Sequence, residues 1–165
     1  MTTATSSGTA TVTLQGDREI VITREFNAPR HLVYRALTEP ELVKRWWNAK
    51  RGIVTECEID LRVGGTWRYL MLTPDGGEVG FHGEFREIVP DARIVQTEIF
   101  EMPGLTDDDA SLNSCSLDEH DGRTMMTVLV HHVRPEHRDA QLASGMEAGM
   151  QDAYDLLEEV AASLA

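Results

Sequence analysis

Cysteine is scarce in this chain: Cys57 and Cys115 are the only two in 165 residues, with no CxxC spacing. That excludes a disulfide scaffold and a zinc knuckle, and it points to a reducing, cytoplasmic setting. Positive charge is scarce as well. Lys and Arg total 15 against 28 Asp and Glu, a formal charge of −13, so the protein's field repels phosphate backbones and anionic surfaces and excludes nucleic acid as a partner. No apolar run approaches the ~20 residues needed to span a bilayer, which excludes membrane insertion by a helix. The opening "MTTATSSGTATVTLQGD" has neither a basic start nor an apolar core, so it is expected to be neither a signal peptide nor an anchor. Residues 1–17 read as a flexible tail. Residues 18–165 then read as one domain, long enough to bury ~70% of its extended-chain surface.

Catalytic motifs are missing too. There is no GxSxG, no glycine loop in a strand-to-helix context and no cysteine beside an oriented base. His131 and His132 are strand neighbours and must point to opposite faces, so they cannot share a metal, and His137 adds no ligand spacing. The sequence therefore assigns no catalytic residue, no metal and no cofactor.

What is present is a pattern of alternating strands bracketed by helices. "REIVITREF" alternates Ile20, Ile22 and Phe26 with polar neighbours, which is a strand buried on one side, with Arg24 on the inward register. The period then becomes helical. Leu32, Val33, Ala36 and Leu37 form one stripe behind Pro29, and Leu42, Val43, Trp46 and Trp47 form a second behind a capping box of Thr38 and Glu41. Trp46 and Trp47 lie about 100° apart on a helix, so one is expected in the core and the other at the edge of an inner space.

From Ile53 the signals are strands and turns. Gly64-Gly65 reads as a two-residue hairpin turn, followed by Trp67, Tyr69 and Met71 on one face. Val79, Phe81, Gly83 and Phe85 share a face of the next strand, leaving His82 with Glu84 and Arg86 on the solvated one. In "RIVQTEIF" the inward set is read as Val95, Thr97 and Ile99. Residues 101–112, with Glu101 and Asp107 to Asp109, read as a mobile acidic lid. A last hairpin turns at Asp121-Gly122, with Cys115 a small buried hydrophobe beside Leu117. From Pro135 the remaining 31 residues read as one long helix with Leu142, Met146, Gly149, Met150, Ala153, Leu156 and Val160 on its stripe. Gly145 and Gly149 cost such a helix about 1 kcal/mol each, which implies that something uses the space they leave.

The phrases "REFNAPRHLVYRALTEPELVKRWW", "DLRVGGTWRY", "GEFREIVPDARI" and "GMEAGMQDAYDLLEE" resemble, in order and spacing, the family named after the activator of heat-shock-protein-90 ATPase. That family lies in the START-like (SRPBCC, Bet v-like) superfamily. The resemblance implies an α+β helix-grip fold: a curved antiparallel sheet of about seven strands around a long C-terminal helix, with two short helices after the first strand. It also implies a cavity between sheet and helix. The residues available to line it are Trp47, Trp67, Tyr69, Met71, Phe81, Phe85, Ile99, Met146, Met150 and Tyr154, with Arg24 as a polar candidate expected to pair with a carboxylate.

Such a cavity would take a small apolar or aromatic molecule, lipids included. Fold alone transfers no reaction. A cyclase-like enzyme using Arg24, Tyr69 and Tyr154 on a polyketide-type substrate is the alternative. A co-chaperone-like interaction domain is another, although the eukaryotic activator uses this domain beside a second one that finds no room in this chain. A homodimer stays open.

Overall fold

The computed structural model describes residues 9–165. Strands β1 (Thr11–Gln15) and β2 (Glu19–Phe26) lead into helices α1 (Arg30–Thr38) and α2 (Pro40–Trp46). Strands β3 (Ile53–Ile59), β4 (Thr66–Leu72), β5 (Glu78–Val89), β6 (Arg93–Phe100), β7 (Ser111–His120) and β8 (Arg123–His131) follow, and helices α3 (Pro135–Ala143) and α4 (Met146–Ser163) close the chain. All eight strands form one antiparallel sheet in the order β1-β2-β8-β7-β6-β5-β4-β3. The architecture is the expected α+β helix-grip, with one strand more than the expected seven.

The extra strand comes from the segment read as a tail. Thr11–Gln15 pairs with β2, and Gln151 of α4 holds the preceding Ala10 at both backbone groups, accepting from its N–H at 2.9 Å and donating to its carbonyl at 2.8 Å. Only Val12 and Leu14 alternate in this short edge strand, but Val12 packs against the Ala10, Ile20, Ile22 and Val130 cluster and the backbone completes the ladder. The remainder of the expected tail, residues 1–8, lies outside the described residues.

Pro40 separates the two short helices, because a proline pushes its predecessor into extended backbone: Glu39 sits at φ −90°, ψ 119°. No Thr38 capping box forms. Glu39 is the N-cap of α2, while Thr38 ends α1 and donates its hydroxyl proton to the Tyr34 carbonyl at 2.7 Å. Trp46 and Trp47 differ in burial, and Trp47 lies just past the helix as the C-cap of α2. Trp46 is buried and donates from Nε1 to the Ala36 carbonyl at 2.8 Å, whereas Trp47 stays half-buried beside the sheet.

The Gly64-Gly65 pair is not a two-residue turn. The β3–β4 connection spans residues 60–65, leaving Leu61 and Val63 exposed, and the glycines dock on β5: Gly64 donates to the Phe85 carbonyl and Phe85 donates to that of Gly65, both at 2.9 Å.

The expected long C-terminal helix is two. Gly145 adopts φ 80°, ψ 22° and breaks it between α3 and α4. α4 packs its backbone against α1 and α2, burying Ala153, Leu157, Val160 and Ala161, and meets the sheet through longer side chains. At Gly149 the Arg51 side chain crosses the helix on its way to Asp152, 3.1 Å away; a Cβ there would meet Arg51 Nε at 3.2 Å. Arg51 is half exposed and free to shift. Gly149→Ala is therefore expected to stabilise the protein, by up to about 1 kcal/mol from helix propensity. Gly145→Ala should destabilise it by about 1 kcal/mol, because a side chain is strained at positive φ. Urea unfolding of the two variants checks the opposite signs.

Candidate functional site

The inward face of the sheet is set by the ladder. Tyr69 pairs with Phe81 and Phe81 with Phe100; Gln96 pairs with Asn113, and Cys115 with Val128. Paired residues share a face, so β6 turns Ile94, Gln96, Glu98 and Phe100 inward. Ile99 is a correction to the expected lining. It pairs with His82 and lies on the outer face, because the register around the β5 irregularity at Phe85/Glu87 puts the other parity of β6 inside.

Of the other expected lining residues, Trp67, Met71 and Phe85 are fully buried and serve as core. Trp67 donates from Nε1 to the Thr97 carbonyl at 3.1 Å, across Gly83, where a Cβ would lie only 2.7 Å from that indole nitrogen. Trp47, Tyr69, Phe81 and Tyr154 are half-buried. Trp47 meets Tyr69 at 5.1 Å and Phe81 at 5.7 Å between ring centroids, both edge-on, and Tyr154 meets Phe26 at 6.0 Å. Met146 and Met150 belong to a second cluster with Ile20, Ile22 and Val130, which Tyr154 also meets. Arg24 offers no free cation to the cleft. It is 1% exposed and donates from Nη2 to Asp155 Oδ1 at 2.7 Å and from Nη1 to the Glu25 carbonyl, with Glu158 at 3.6 Å and the Phe26 ring beneath it.

Between sheet and α4 a polar group appears that sequence reasoning missed. Glu98 and Asn113, both half-buried and inward, are joined by Asn113 Nδ2 donating to Glu98 Oε1 at 2.8 Å. Desolvation raises the Glu98 pKa, and the Asn113 hydrogen bond offsets part of that rise. Desolvation also raises Tyr69 and Tyr154, and both feel the Glu98 charge. Cys115 is pushed up to about 12 by the same burial. These side chains keep some accessible surface although the surrounding protein desolvates their polar groups. The missed signal was parity: "RIVQTEIF" has apolar residues on both of its faces.

The outer face carries a separate network. Arg68 donates from Nε and Nη2 to the two carboxylate oxygens of Glu101, both at 2.8 Å, and His82 bridges Glu101 and Asp107 at 2.7 Å each. His82 is thus ion-paired, and the segment read as a mobile lid is pinned to the sheet through Glu101 and Asp107. Two open grooves of about 450 and 310 Å³, lined by polar and apolar atoms alike, adjoin this network on the outer face.

Hydrogen bonds from Arg68 hold Glu101 at about 2. For His82, desolvation lowers the pKa, but Asp107 and Glu101 outweigh it and the net is a rise. Glu101 therefore contributes stability that is lost as pH falls below its unfolded value of 4.5 toward 2, and His82 contributes stability that is lost as pH rises past 6.5. The melting-temperature gap between wild type and His82→Phe should be widest between those two values. A gap that does not change with pH would contradict the pairing.

Among the described residues no group of three or more His, Cys, Asp or Glu is placed to hold a metal, and no helix is long and apolar enough to cross a membrane. A family model described as "Activator of Hsp90 ATPase homolog 1-like protein" matches residues 27–162. No curated protein matches the sequence. Solved structures are similar throughout. A Rhodobacter sphaeroides protein is 27% identical at a TM-score of 0.84, covering 94% of this chain and 99% of its own. Proteins from Mycobacterium smegmatis and Nitrosomonas europaea are each 25% identical, at TM-scores of 0.78 and 0.77; the alignments cover 94% and 92% of this chain and 97% and 98% of theirs.

Proposed function

This chain belongs to the Activator of Hsp90 ATPase homolog 1-like family, and within it we propose that the chain binds a small apolar or aromatic molecule in the cleft between sheet and α4. The observation that carries the reading is the half-buried cluster of Trp47, Tyr69 and Phe81, with Tyr154 of α4 half-buried against Phe26. Such rings supply apolar area with few rotatable bonds. Their incomplete burial leaves area for a ligand to cover, and Met146 and Met150, which share a cluster with Tyr154, can adapt to its shape.

Binding of the neutral dye N-phenylnaphthylamine tests this. The expected result is saturable fluorescence enhancement in wild type and an affinity reduced by about tenfold or more in Trp47→Ala, roughly one aromatic contact plus its buried area. No saturable binding in wild type would remove the reading.

A second reading, acid–base chemistry on the bound molecule, draws support from Glu98 with its raised pKa and from Tyr69 and Tyr154, whose hydroxyls have no hydrogen-bond partner among the described residues. It requires turnover that Glu98→Gln abolishes. The co-chaperone alternative has no comparable observation in its favour.

A further inference from the structure

Glu98 is an unusual occupant of an apolar cleft, because nothing among the described residues completes it. Asn113 Nδ2 occupies Oε1 at 2.8 Å, and the Asn113 amide is itself oriented from behind: the Ser111 hydroxyl lies 2.9 Å from Asn113 Oδ1 and 3.3 Å from the Glu98 carbonyl. That hydroxyl turns the Asn113 oxygen away and commits its NH₂ to Glu98. Oε2 has no hydrogen-bond or ion-pair partner among the described residues. Arg24, the cation on the same face, is taken by Asp155 and Glu158. Tyr69 and Tyr154 lie within range of the Glu98 charge, and neither hydroxyl has a hydrogen-bond partner among the described residues.

We infer that Glu98 is the polar anchor of the cleft, and that the molecule taken there is an apolar body with one hydrogen-bond-donating head, an alcohol or an amine, rather than a carboxylate. The inference rests on the cleft reading above. A carboxylate oxygen that a bound apolar molecule seals from water is costly unless a donor reaches it, and a hydrogen bond to a charged group is stronger than one between neutral groups. A ligand carboxylate would instead meet a like charge, inside a protein whose net charge of −13 already disfavours anions. The polar end of the ligand then lies at Glu98, between β6 and α4, and its apolar body lies toward Tyr69, Phe81 and Trp47.

Four naphthalenes that differ only in the head group test this: naphthylmethylamine, naphthylmethanol, naphthoate and the headless methylnaphthalene, titrated calorimetrically at pH 7. In wild type the amine and the alcohol should bind at least about tenfold tighter than naphthoate, the worth of one charge-assisted hydrogen bond. In Glu98→Gln, Asn113 keeps the amide oxygen and the new NH₂ faces the ligand. The amine should then lose about tenfold and naphthoate should gain, while methylnaphthalene is unchanged and certifies the fold. Equal binding of all four, or naphthoate tightest in wild type, would overturn the anchor while leaving the cleft reading intact. Failure of all four to bind would overturn both.

Discussion

A Gly83→Ala variant is expected to lose about 3 kcal/mol or more of stability, at the upper end of what overpacking costs. Gly83 lies between Trp67 on β4 and Thr97 on β6, where the indole N–H reaches across β5 to the Thr97 carbonyl. A methyl group there would overlap that backbone carbonyl as well as the indole nitrogen, and neither is the loose end of a flexible chain. Relief requires β5 and β6 to separate at the point where the inward parity of β6 is set. Urea unfolding measures the loss. A variant within about 1 kcal/mol of wild type would show that the sheet yields there, and that Trp67 is not holding the three strands in register.

The second large effect concerns the Arg24 pair, and it depends on which partner is removed. Asp155→Ala should cost about 2–3 kcal/mol, because it strands a fully buried guanidinium whose remaining carboxylate, Glu158, is 3.6 Å away. Arg24→Met should cost less than about 1 kcal/mol, because Asp155 is 46% exposed and can return to water while methionine fills the space. Chemical denaturation of both variants gives the asymmetry directly. Equal losses would mean that the pair is not organised around the buried cation. Arg24 is also removed as a free catalytic group in the cleft, since its charge is already matched.

How much of this was legible in the sequence depends on how strongly each segment commits to one face. β2 alternates buried and half-buried positions from Glu19 to Phe26 without interruption, so its inward set could be read directly. α1 and α2 were legible from their apolar stripes, and Pro40 marks the break between them. β6 was not legible. Ile94 and Phe100 favour one parity and Val95 and Ile99 the other; the choice is made by pairing with β5, whose register shifts between Phe85 and Glu87. Reading the wrong parity put Ile99 in the cleft and hid Glu98.

β1 was missed because its apolar signal is short: only Val12 and Leu14 alternate within five residues, and the rest of its hold is a backbone ladder, the buried Ala10 and two bonds from Gln151. The helix break at Gly145 was hidden for the opposite reason. The stripe runs through it, and only the positive φ of one residue divides α3 from α4.

The central claim is that the ligand sits between sheet and α4 and not in the grooves on the outer face. Side-chain NMR during titration with naphthylmethanol tests it most directly, because Trp46 at the end of α2, Trp47 just after it and the His82 ring report on different places. The account predicts that the Trp47 indole signal and the Met146 and Met150 methyls shift with the titration, while the buried Trp46 indole and the His82 ring stay fixed. Shifts centred on His82 with Trp47 unmoved would place the ligand on the outer grooves and contradict the account.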